Sequence, residues 1–325
     1  MLITRTPFRM SFFGGGTDYK EYYEKYGGSV ISTTVDKYCY VTMREFPPFF
    51  PFKNQLSYSK LEKFDSPDEI EHPLVRAALK YIPVDRIQIN YDADMPASSG
   101  IGSSSAFAVG LVEGLHAMRG EYPDRMTIAK EAIHLERDMC REAGGVQDQI
   151  AAAFGGFNRI FFDKDGFRVR PVRSDAARIG ALQKNLLLVF TGFTHFSGEV
   201  AAAQVKNIPA RLSQLHRMSE LTDAAEEILG RGDLDDFGRL LNETWRLKKE
   251  LSDRITNSGI DAIYEKALAS GALGGKLLGA GGGGFLLLYV PLVERERVLC
   301  ALSGLMTVPF RFENEGTKII YVEDK

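Results

Sequence analysis

The sequence Pro96-Ala-Ser-Ser-Gly-Ile-Gly-Ser-Ser-Ser-Ala106 joins a glycine-rich turn to an apolar run. Gly100 and Gly102 let the backbone approach a ligand closely, and Ser103 leads into residues 106–112, whose composition predicts a buried helix. Because the first N–H groups of a helix have no partner within it, such a turn predicts an anion site, and phosphate is the obvious anion. An ordinary loop with a serine N-cap is the alternative for this segment alone.

Two common glycine motifs do not fit this stretch. A Walker loop requires a lysine after its last glycine, and Ser103 follows Gly102 here. A dinucleotide fingerprint requires a third glycine where Ser105 stands. Since hydroxyl groups replace the lysine, we expect a metal ion to neutralise the phosphates, and a serine oxygen suits Mg²⁺.

The composition is that of a globular protein. Of the 325 residues, 44% are hydrophobic and 26% are charged, and this length favours two lobes. The net charge of −3 argues against a nucleic-acid partner, because no basic surface would collect phosphates. No apolar run is long enough to span a bilayer, so we expect no membrane partner. Three distant cysteines and the lack of a leader pattern predict a cytoplasmic protein, and a homodimer is left open.

Secondary-structure patterns alternate irregularly along the chain. We predict helices at 103–118, 125–143, 198–230, 233–252 and 258–270, and strands at 29–34, 38–43, 87–91, 157–162, 185–190, 284–290 and 318–322. Without a regular strand–helix–strand repeat, this order favours an α+β fold over a doubly wound sheet. A turn signal at 163–166 separates two lobes, 1–165 and 166–325. The aromatic loop at 46–52 is interpreted as a surface loop that tucks its rings into the first lobe rather than as a base-stacking surface.

Two further glycine clusters lie towards the ends of the chain. One is Gly14-Gly15-Gly16, and the other lies within residues 274–284. Glycine in regular structure costs roughly 0.5–1 kcal/mol relative to alanine. Each cluster therefore indicates either tight packing or the close approach of a ligand, and the sequence alone does not choose between them.

Two acidic residues are candidates for phosphoryl transfer. Glu136 lies at the edge of the apolar stripe of the 125–143 helix, and Asp148 follows it across a glycine break. One carboxylate at a metal and another beside a hydroxyl are what kinase chemistry requires. A single helical glutamate is more often a solvated surface residue, and it is the combination that favours a site. The chain has neither a His-Glu-x-x-His zinc pattern nor a Gly-x-Ser-x-Gly hydrolase pattern.

The three glycine-rich stretches, 7–19, 96–106 and 278–285, resemble in order the motifs of the galactokinase, homoserine kinase, mevalonate kinase and phosphomevalonate kinase (GHMP) superfamily. The resemblance implies two α+β lobes with ATP and substrate in the cleft between them. The N-terminal lobe would be related to the ribosomal S5 domain 2-like fold, and the C-terminal lobe would be an α/β sandwich of ferredoxin-like type.

Finer matches at 12–19, 145–149 and 274–279 are similar to bacterial D-glycero-D-manno-heptose 7-phosphate kinases, which phosphorylate the anomeric hydroxyl. The resemblance implies ATP and Mg²⁺ as cofactors and a sugar phosphate as the small-molecule partner. Asp148 would take the acceptor proton beside Arg9. The metal ligands implied are Ser104 and Glu136. The nucleotide-binding residues implied are Ser98, Ser99, Gly100, Ile101, Gly102, Ser103 and Ser104, and the substrate-binding residues are Gly16, Thr17, Asp18 and Gly281.

Departures from the family patterns concern the acceptor. Gly15 and Gly16 stand where galactokinases have Glu and His, which argues against galactose and leaves more room beside the acceptor. His195 stands where an arginine is expected, and because its charge depends on pH, this weakens the phosphosugar interpretation. Lys276 is a candidate for holding a distal phosphate, although a surface position is the default expectation for a lysine.

Three alternatives stay open beside the heptose phosphate kinase. The first is a kinase of an unphosphorylated sugar such as fucose or a hexose. The second is a non-catalytic ligand-binding member of the same fold, against which the joint presence of Ser104, Glu136, Asp148 and Arg9 argues. The third is a decarboxylase of the isoprenoid pathway, which the sugar-kinase-like Thr17-Asp18-Tyr19 disfavours.

Overall fold

The computed structural model describes residues 1–193 and 197–323 of the chain. The expectation for His195 falls outside the described residues. The strands are β1 (Leu2–Phe13), β2 (Gly28–Glu45), β3 (Asn54–Ser57), β4 (Leu61–Phe64), β5 (Ile87–Ala93), β6 (Asn158–Asp163), β7 (Gly166–Pro171), β8 (Leu186–Phe190), β9 (Gly274–Leu277), β10 (Phe285–Tyr289), β11 (Phe312–Glu313) and β12 (Lys318–Val322).

The helices fill the intervals between these strands. They are α1 (Lys20–Tyr26), α2 (Pro73–Tyr81), α3 (Ser103–Met118), α4 (Arg125–Ile133), α5 (Gln147–Phe154), α6 (Ala176–Asn185), α7 (Ser197–Asn207), α8 (Leu212–Arg231), α9 (Leu234–Glu250), α10 (Ser258–Ala269) and α11 (Arg295–Ala301). A π-helical segment, His134–Met139, continues directly from α4.

The first sheet is built around the long antiparallel pair of β1 and β2. Its main strand order is β12-β1-β2-β5-β3-β4, while β6 and β11 also pair with β2, and β7 pairs with β6. Every residue of β1 from Thr6 to Phe13 is buried, so this strand runs through the interior rather than along a half-exposed face. Helix α3 packs against β1 and β2 and also contacts α4 and α5, and α5 itself contacts β1 and β2.

The second sheet is antiparallel with the order β8-β10-β9. A bridge between Val189 and Thr307 adds a fourth position beside β8, which gives the strand order of the predicted ferredoxin-like sandwich. Helix α9 packs against β9 and β10 and buries Trp245 completely. Helix α8 also contacts β1 and β2, so the second half of the chain packs directly onto the first sheet.

The α+β class is confirmed, and several boundaries differ from the sequence prediction. The division at 165/166 falls inside the β6–β7 hairpin, and β11 and β12 return to the first sheet, because strand pairing there joins distant segments. The 125–143 helix breaks into α4 and the π-helical segment. The 198–230 helix breaks near Pro209, which cannot donate a backbone hydrogen bond.

Candidate active site

A cavity of about 720 Å³ is lined by residues from both halves of the chain. Its lining includes the glycine-rich loop before α3, the first glycine cluster, the start of α5, and side chains from α9 and β9. All of these segments except α9 were singled out as sequence motifs. Three groups of contacts divide the cavity into a loop region, an acidic centre and an aromatic end.

The glycine-rich loop delivers the N-terminus of α3 to the cavity. Gly102 is the N-cap residue and offers no side chain to satisfy the first N–H groups of the helix. Ser98, Gly100, Gly102, Ser103 and Ser104 all line the cavity. An uncapped N-terminus of a 16-residue helix is suited to an anionic group such as a phosphate.

Two residues of the predicted nucleotide set lie behind this loop. Ser99 is fully buried, and its carbonyl oxygen accepts a hydrogen bond from the N–H of Phe285. The carbonyl of Ile101 accepts a hydrogen bond from the N–H of Arg9. Neither residue lines the cavity, so both hold the loop against β10 and β1 instead of facing a ligand.

Gly100 allows the second and third glycine motifs to touch. Its φ of +82° lies in the left-handed region, and a Cβ there would stand 2.4 Å from the carbonyl oxygen of Leu278. Any side chain would therefore push the two loops apart. Gly100 also lines the cavity, so it packs against the third glycine motif and borders the open space in front of the loop.

Glu136 is buried in the π-helical segment and holds the start of α3. Ser104 and Ser105 donate their hydroxyl hydrogen bonds to Oε1 and Oε2 at 2.7 and 2.8 Å, and Gln149 Nε2 donates to Oε2 at 2.5 Å. All three donors are neutral, so within the described chain the buried carboxylate is matched by hydrogen bonds and not by a salt bridge. The π-turn, a feature frequent at functional sites, sets this residue towards α3.

The oxygen atoms of Ser104 and Glu136 fit a magnesium ion. Both residues line the cavity beside the loop, and both offer hard oxygen ligands. Among the residues that the structure describes, no group of three or more His, Cys, Asp or Glu side chains could hold a metal. A site with one carboxylate and one hydroxyl matches Mg²⁺ that is completed by phosphate oxygens and water.

Asp148, in the first turn of α5, is fixed by Arg9 from β1. Arg9 Nε donates to Oδ1 at 2.7 Å and Nη2 donates to Oδ2 at 2.6 Å, while Nη1 donates to the carbonyl of Gly100 at 2.6 Å. A Cβ built on Gly102 would lie 3.4 Å from Asp148 Oδ2, so the carboxylate stands directly against the N-cap of α3. Arg9 thus joins the carboxylate to the loop in one rigid unit.

Asp18 lines the same cavity as Asp148 and is 2% exposed. Burial raises the pKa of its carboxyl group, and the nearby charge of Asp148 raises it further, while hydrogen bonds from the Gly16 N–H and from Gln147 act in the opposite direction. Gln147 Nε2 donates to Oδ2 at 3.0 Å, and the Gly16 N–H donates to Oδ1 at 2.9 Å. Asp18 and Gly16 both line the cavity, as the sequence predicts for substrate-binding residues.

Thr17 and Gly281, the other two residues of that set, do not line the cavity. The Thr17 hydroxyl donates to the carbonyls of Gly14 and Ser29, which ties the glycine turn to β2. Gly281 packs against the backbone of Ile255. Because these contacts are with other parts of the protein, Thr17 and Gly281 support the cavity wall from behind.

Two buried lysines also reach the cavity: Lys248, which sequence reasoning missed, and Lys276, which it named as a candidate but expected at the surface. Lys248 of α9 is 6% exposed and Lys276 of β9 is 2% exposed, and both line the cavity. The default expectation of a surface position for Lys276 is wrong, because β9 lies in the interior. The signal available in the sequence was its place between Gly275 and Leu277, in a segment whose other residues are all apolar or glycine.

An aromatic group forms the third part of the cavity. Tyr58, His72, Tyr91 and Phe107 line it, with ring centroids 5.0 Å apart for Tyr58 and His72 and 4.7 Å apart for Tyr91 and Phe107. Burial lowers the pKa of His72, which favours the neutral ring. No residue of the 46–52 loop lines the cavity. Phe46 is buried and stacks on Phe50 and Phe52, whereas Phe49 is 92% and Phe50 49% exposed, so the predicted tucking of the rings into the lobe holds only in part.

Comparisons with known proteins agree with this geometry. Residues 73–156 match the family model of the GHMP kinases N terminal domain, and residues 224–306 match that of the GHMP kinases C terminal domain. The D-glycero-alpha-D-manno-heptose 7-phosphate kinase of Campylobacter jejuni is 31% identical over 337 residues, which cover 97% of this chain and 97% of that protein.

Two further similarities are to a bifunctional plant protein and to a solved structure. The bifunctional fucokinase/GDP-fucose pyrophosphorylase of Arabidopsis thaliana is 29% identical over 76% of this chain and 25% of that protein. The crystal structure of a D-glycero-D-manno-heptose 1-phosphate kinase from Bacteriodes thetaiotaomicron superposes with a TM-score of 0.82 at 24% identity, covering 100% of both chains. In the described part of the chain, no helix is long and apolar enough to cross a membrane.

Proposed function

Since the chain belongs to the GHMP kinase family and is therefore a phosphotransferase with an alcohol acceptor, we propose that it uses ATP and Mg²⁺ to phosphorylate the anomeric hydroxyl of D-glycero-D-manno-heptose 7-phosphate. The observation that carries the proposal is the contact between Asp148 and the N-cap of α3. This contact supports Asp148 as the proton acceptor, because an attacking hydroxyl must stand between a base and the phosphate that it attacks.

The nucleotide would occupy the loop and the aromatic end. The N-terminus of α3 would receive the phosphates, and Ser104 with Glu136 would hold Mg²⁺, which supplies charge neutralisation for the triphosphate. The aromatic rings offer a flat apolar surface for the adenine base. The Nδ1 atom of His72 is buried and has no partner within the described chain, so it is free to bond a base edge.

A polyhydroxylated acceptor is supported by two further unpartnered atoms. Ser11 Oγ and Gln147 Oε1 are buried without hydrogen-bond partners in the described residues, and both side chains line the cavity near Asp18. Buried polar atoms are costly when they stay unpaired, at roughly 1–3 kcal/mol each. Vicinal sugar hydroxyls would satisfy both atoms together with the Asp18 carboxyl group.

The chemical step follows from these positions. Asp148 accepts the proton of the acceptor hydroxyl, the oxygen forms a bond to the γ-phosphorus, and the bond to the β–γ bridging oxygen breaks, which leaves ADP. Arg9 fixes both carboxylate oxygens and keeps the base in one orientation. Positioning and charge stabilisation provide most of the rate enhancement in phosphoryl transfer. The hydrogen bond from Arg9 to the carbonyl of Gly100 contributes to positioning.

The sugar itself is chosen on similarity to the Campylobacter jejuni enzyme. An unphosphorylated sugar is the second candidate, because the Arabidopsis thaliana fucokinase and a galactokinase of Pyrococcus furiosus are also similar to this chain. The Gly15–Gly16 pair leaves space that a bulkier acceptor than galactose can fill. We also propose the cytoplasm as the place of action, since Cys39, Cys140 and Cys300 are all free.

The test is an acceptor panel with purified protein, ATP and Mg²⁺. D-glycero-D-manno-heptose 7-phosphate, D-glycero-D-manno-heptose, L-fucose and D-galactose are compared for ADP release, and the phosphorylated carbon is located by ³¹P NMR. We expect the highest kcat/KM with the heptose 7-phosphate and a new phosphate at C1. A higher kcat/KM with an unphosphorylated sugar would replace the proposed acceptor. Absence of sugar-dependent ADP release with all four would favour the non-catalytic alternative.

A further inference from the structure

Lys248 and Lys276 reach the cavity from two elements of the second half of the chain. Lys248 Nζ donates to the carbonyls of Leu277 at 2.9 Å and Gly279 at 2.5 Å. Lys276 Nζ donates to the carbonyl of Phe12 at 3.0 Å, so it joins β9 to β1 beside the first glycine cluster. A protonated lysine has three N–H donors. Within the described chain, each of these lysines therefore keeps at least one donor for a ligand.

The two amino groups belong to a crowded set of charges. The groups that act on Lys276 are Arg9 and Asp18, and those that act on Lys248 are Lys276, Arg9, Asp18 and Asp148. Three basic groups therefore face two carboxylates, and the bidentate salt bridge with Arg9 already engages both oxygens of Asp148. The cluster lacks a negative charge, and an anionic ligand would supply it.

Burial of an ammonium group that forms hydrogen bonds but no salt bridge within the described residues is costly, and this shows in both side chains. Burial and the nearby positive charges lower the pKa of Lys276 to about 7 and lower that of Lys248 well below its ordinary value. The hydrogen bonds to the carbonyls of Leu277, Gly279 and Phe12 occupy three of the six N–H donors of the two ammonium groups, so a structural role alone leaves the other three buried without a partner. Two lysines at this depth, both on the cavity wall, indicate that a ligand uses them.

We propose that Lys248 and Lys276 form a binding site for a phosphoryl dianion in the part of the cavity next to Asp18 and the first glycine cluster, where the acceptor is proposed to bind. The site rests on the proposed kinase function and deepens it. The ligand chemistry is a phosphomonoester or a phosphoryl group in transfer. It has two sources, the group that moves from ATP to the anomeric oxygen and the phosphate that the acceptor already carries.

Binding of the dianion is coupled to proton uptake. Its negative charge restores the ammonium forms, so the complex takes up protons at a pH above that at which the free lysines lose theirs. Affinity for a phosphate-bearing ligand then falls as the pH rises above about 7, where Lys276 deprotonates in the free protein. A sugar without a phosphate binds without this proton uptake.

The test compares Lys248→Met and Lys276→Met with the wild type, and Lys249→Met is the matched control. Lys249 is the next residue of α9, but its side chain is 34% exposed and pairs with Asp261. Calorimetric titrations at pH 8 in two buffers of different ionisation enthalpy count the protons taken up. The probes are D-glycero-D-manno-heptose, its 7-phosphate, its 1-phosphate and inorganic phosphate, with ADP and Mg²⁺ filling the nucleotide end so that the place of the transferred group stays open.

We expect both variants to lose roughly tenfold or more in affinity for phosphate-bearing probes, together with the proton uptake, while binding of the free sugar is unchanged. A loss confined to the 7-phosphate identifies the acceptor's own phosphate as the source, and a loss confined to the 1-phosphate identifies the transferred group. Melting curves check folding, and Lys276→Gln and Lys248→Gln replace any methionine variant that does not fold.

Wild-type affinity and proton uptake in the folded Lys248 and Lys276 variants would overturn the site, even if the wild type phosphorylates a sugar. Lysine-dependent binding of inorganic phosphate by a wild type that phosphorylates no sugar would keep the site and remove the proposed function. An equal loss in Lys249→Met would attribute the effect to α9 as a whole and would also overturn the site.

Discussion

Arg9 and Asp148 form a bidentate salt bridge in which Nε and Nη2 reach the two carboxylate oxygens at 2.7 and 2.6 Å. Arg9 is nearly buried, with 5% of its side chain exposed, whereas 21% of the Asp148 side chain is exposed. The salt bridge therefore has a closed side and an open side, and the open side faces the cavity. This asymmetry is what a base requires, since it must be held rigidly and still meet a substrate.

Asp148→Asn removes the proton acceptor and keeps the shape of the side chain. We expect turnover to fall by roughly 10²–10⁴-fold, the usual contribution of general base catalysis, while the KM for ATP changes little. Steady-state kinetics with each substrate varied in turn measures both effects. Asp138→Asn is the control, because Asp138 is an exposed carboxylate that pairs with His134. Near-normal turnover in Asp148→Asn would remove the assignment of the base.

Glu136→Gln removes the charge proposed to hold Mg²⁺. The amide also places a donor where Ser104, Ser105 and Gln149 already donate, so one of these hydrogen bonds is lost. We expect the Mg²⁺ concentration for half-maximal activity to rise roughly tenfold and the melting temperature to fall. Glu131→Gln, in the preceding helix α4, is the control. An unchanged Mg²⁺ dependence would exclude Glu136 as a ligand.

Gly145→Ala tests the placement of Asp18. A Cβ at this position would lie 1.7 Å from Asp18 Oδ2, so the carboxyl group must move. We expect the KM for the sugar to rise at least roughly tenfold with little change in the KM for ATP, because Asp18 lies at the acceptor side. Gly180→Ala in α6 has no atom within 4 Å of its added methyl group and should stabilise the helix. Equal KM values for sugar in both variants would contradict the assignment of Asp18.

Lys276→Met should change the pH dependence of stability. The pKa of Lys276 is lowered from 10.5 to about 7, so between these values the unfolded chain binds a proton that the folded protein does not. Wild-type stability therefore rises with pH in this window, by roughly 1.4 kcal/mol per pH unit at most. The advantage of Lys276→Met in the free energy of unfolding should shrink from pH 7 to pH 10. Denaturant unfolding at four pH values measures it, and a constant difference would contradict the lowered pKa.

Local pattern was sufficient for the elements that carry their own boundary signals. Helix α3 was predicted at 103–118 and spans Ser103–Met118, because a glycine turn, a serine run and an apolar segment mark it. The combination of Glu136 and Asp148 was taken to favour one site, and both residues line the same cavity. The helix α5 that carries Asp148 was not among the predicted helices.

Long-range pairing was what the sequence did not reveal. The buried strand β1 contains Pro7 and charged residues and lacks regular alternation, so it was not predicted as a strand. β9 was not predicted either, because Gly274 and Gly275 weaken a strand pattern. Since the strand was not predicted, the burial of Lys276 was not predicted. The burial of Lys248 depends on how α9 packs against β9, and the hydrophobic periodicity of α9 alone does not show this.

The pairing of β12 with β1 has a consequence for synthesis on the ribosome. Leu2 stands opposite Val322, and the N-terminal amino group bonds Glu323 at 3.1 Å, so one edge of the strand that carries Arg9 receives its partner only after residue 318 has emerged. During most of translation that edge is open to pairing with other chains. The nascent chain therefore exposes an unpaired edge on the strand that carries half of the proposed catalytic pair until β12 is made.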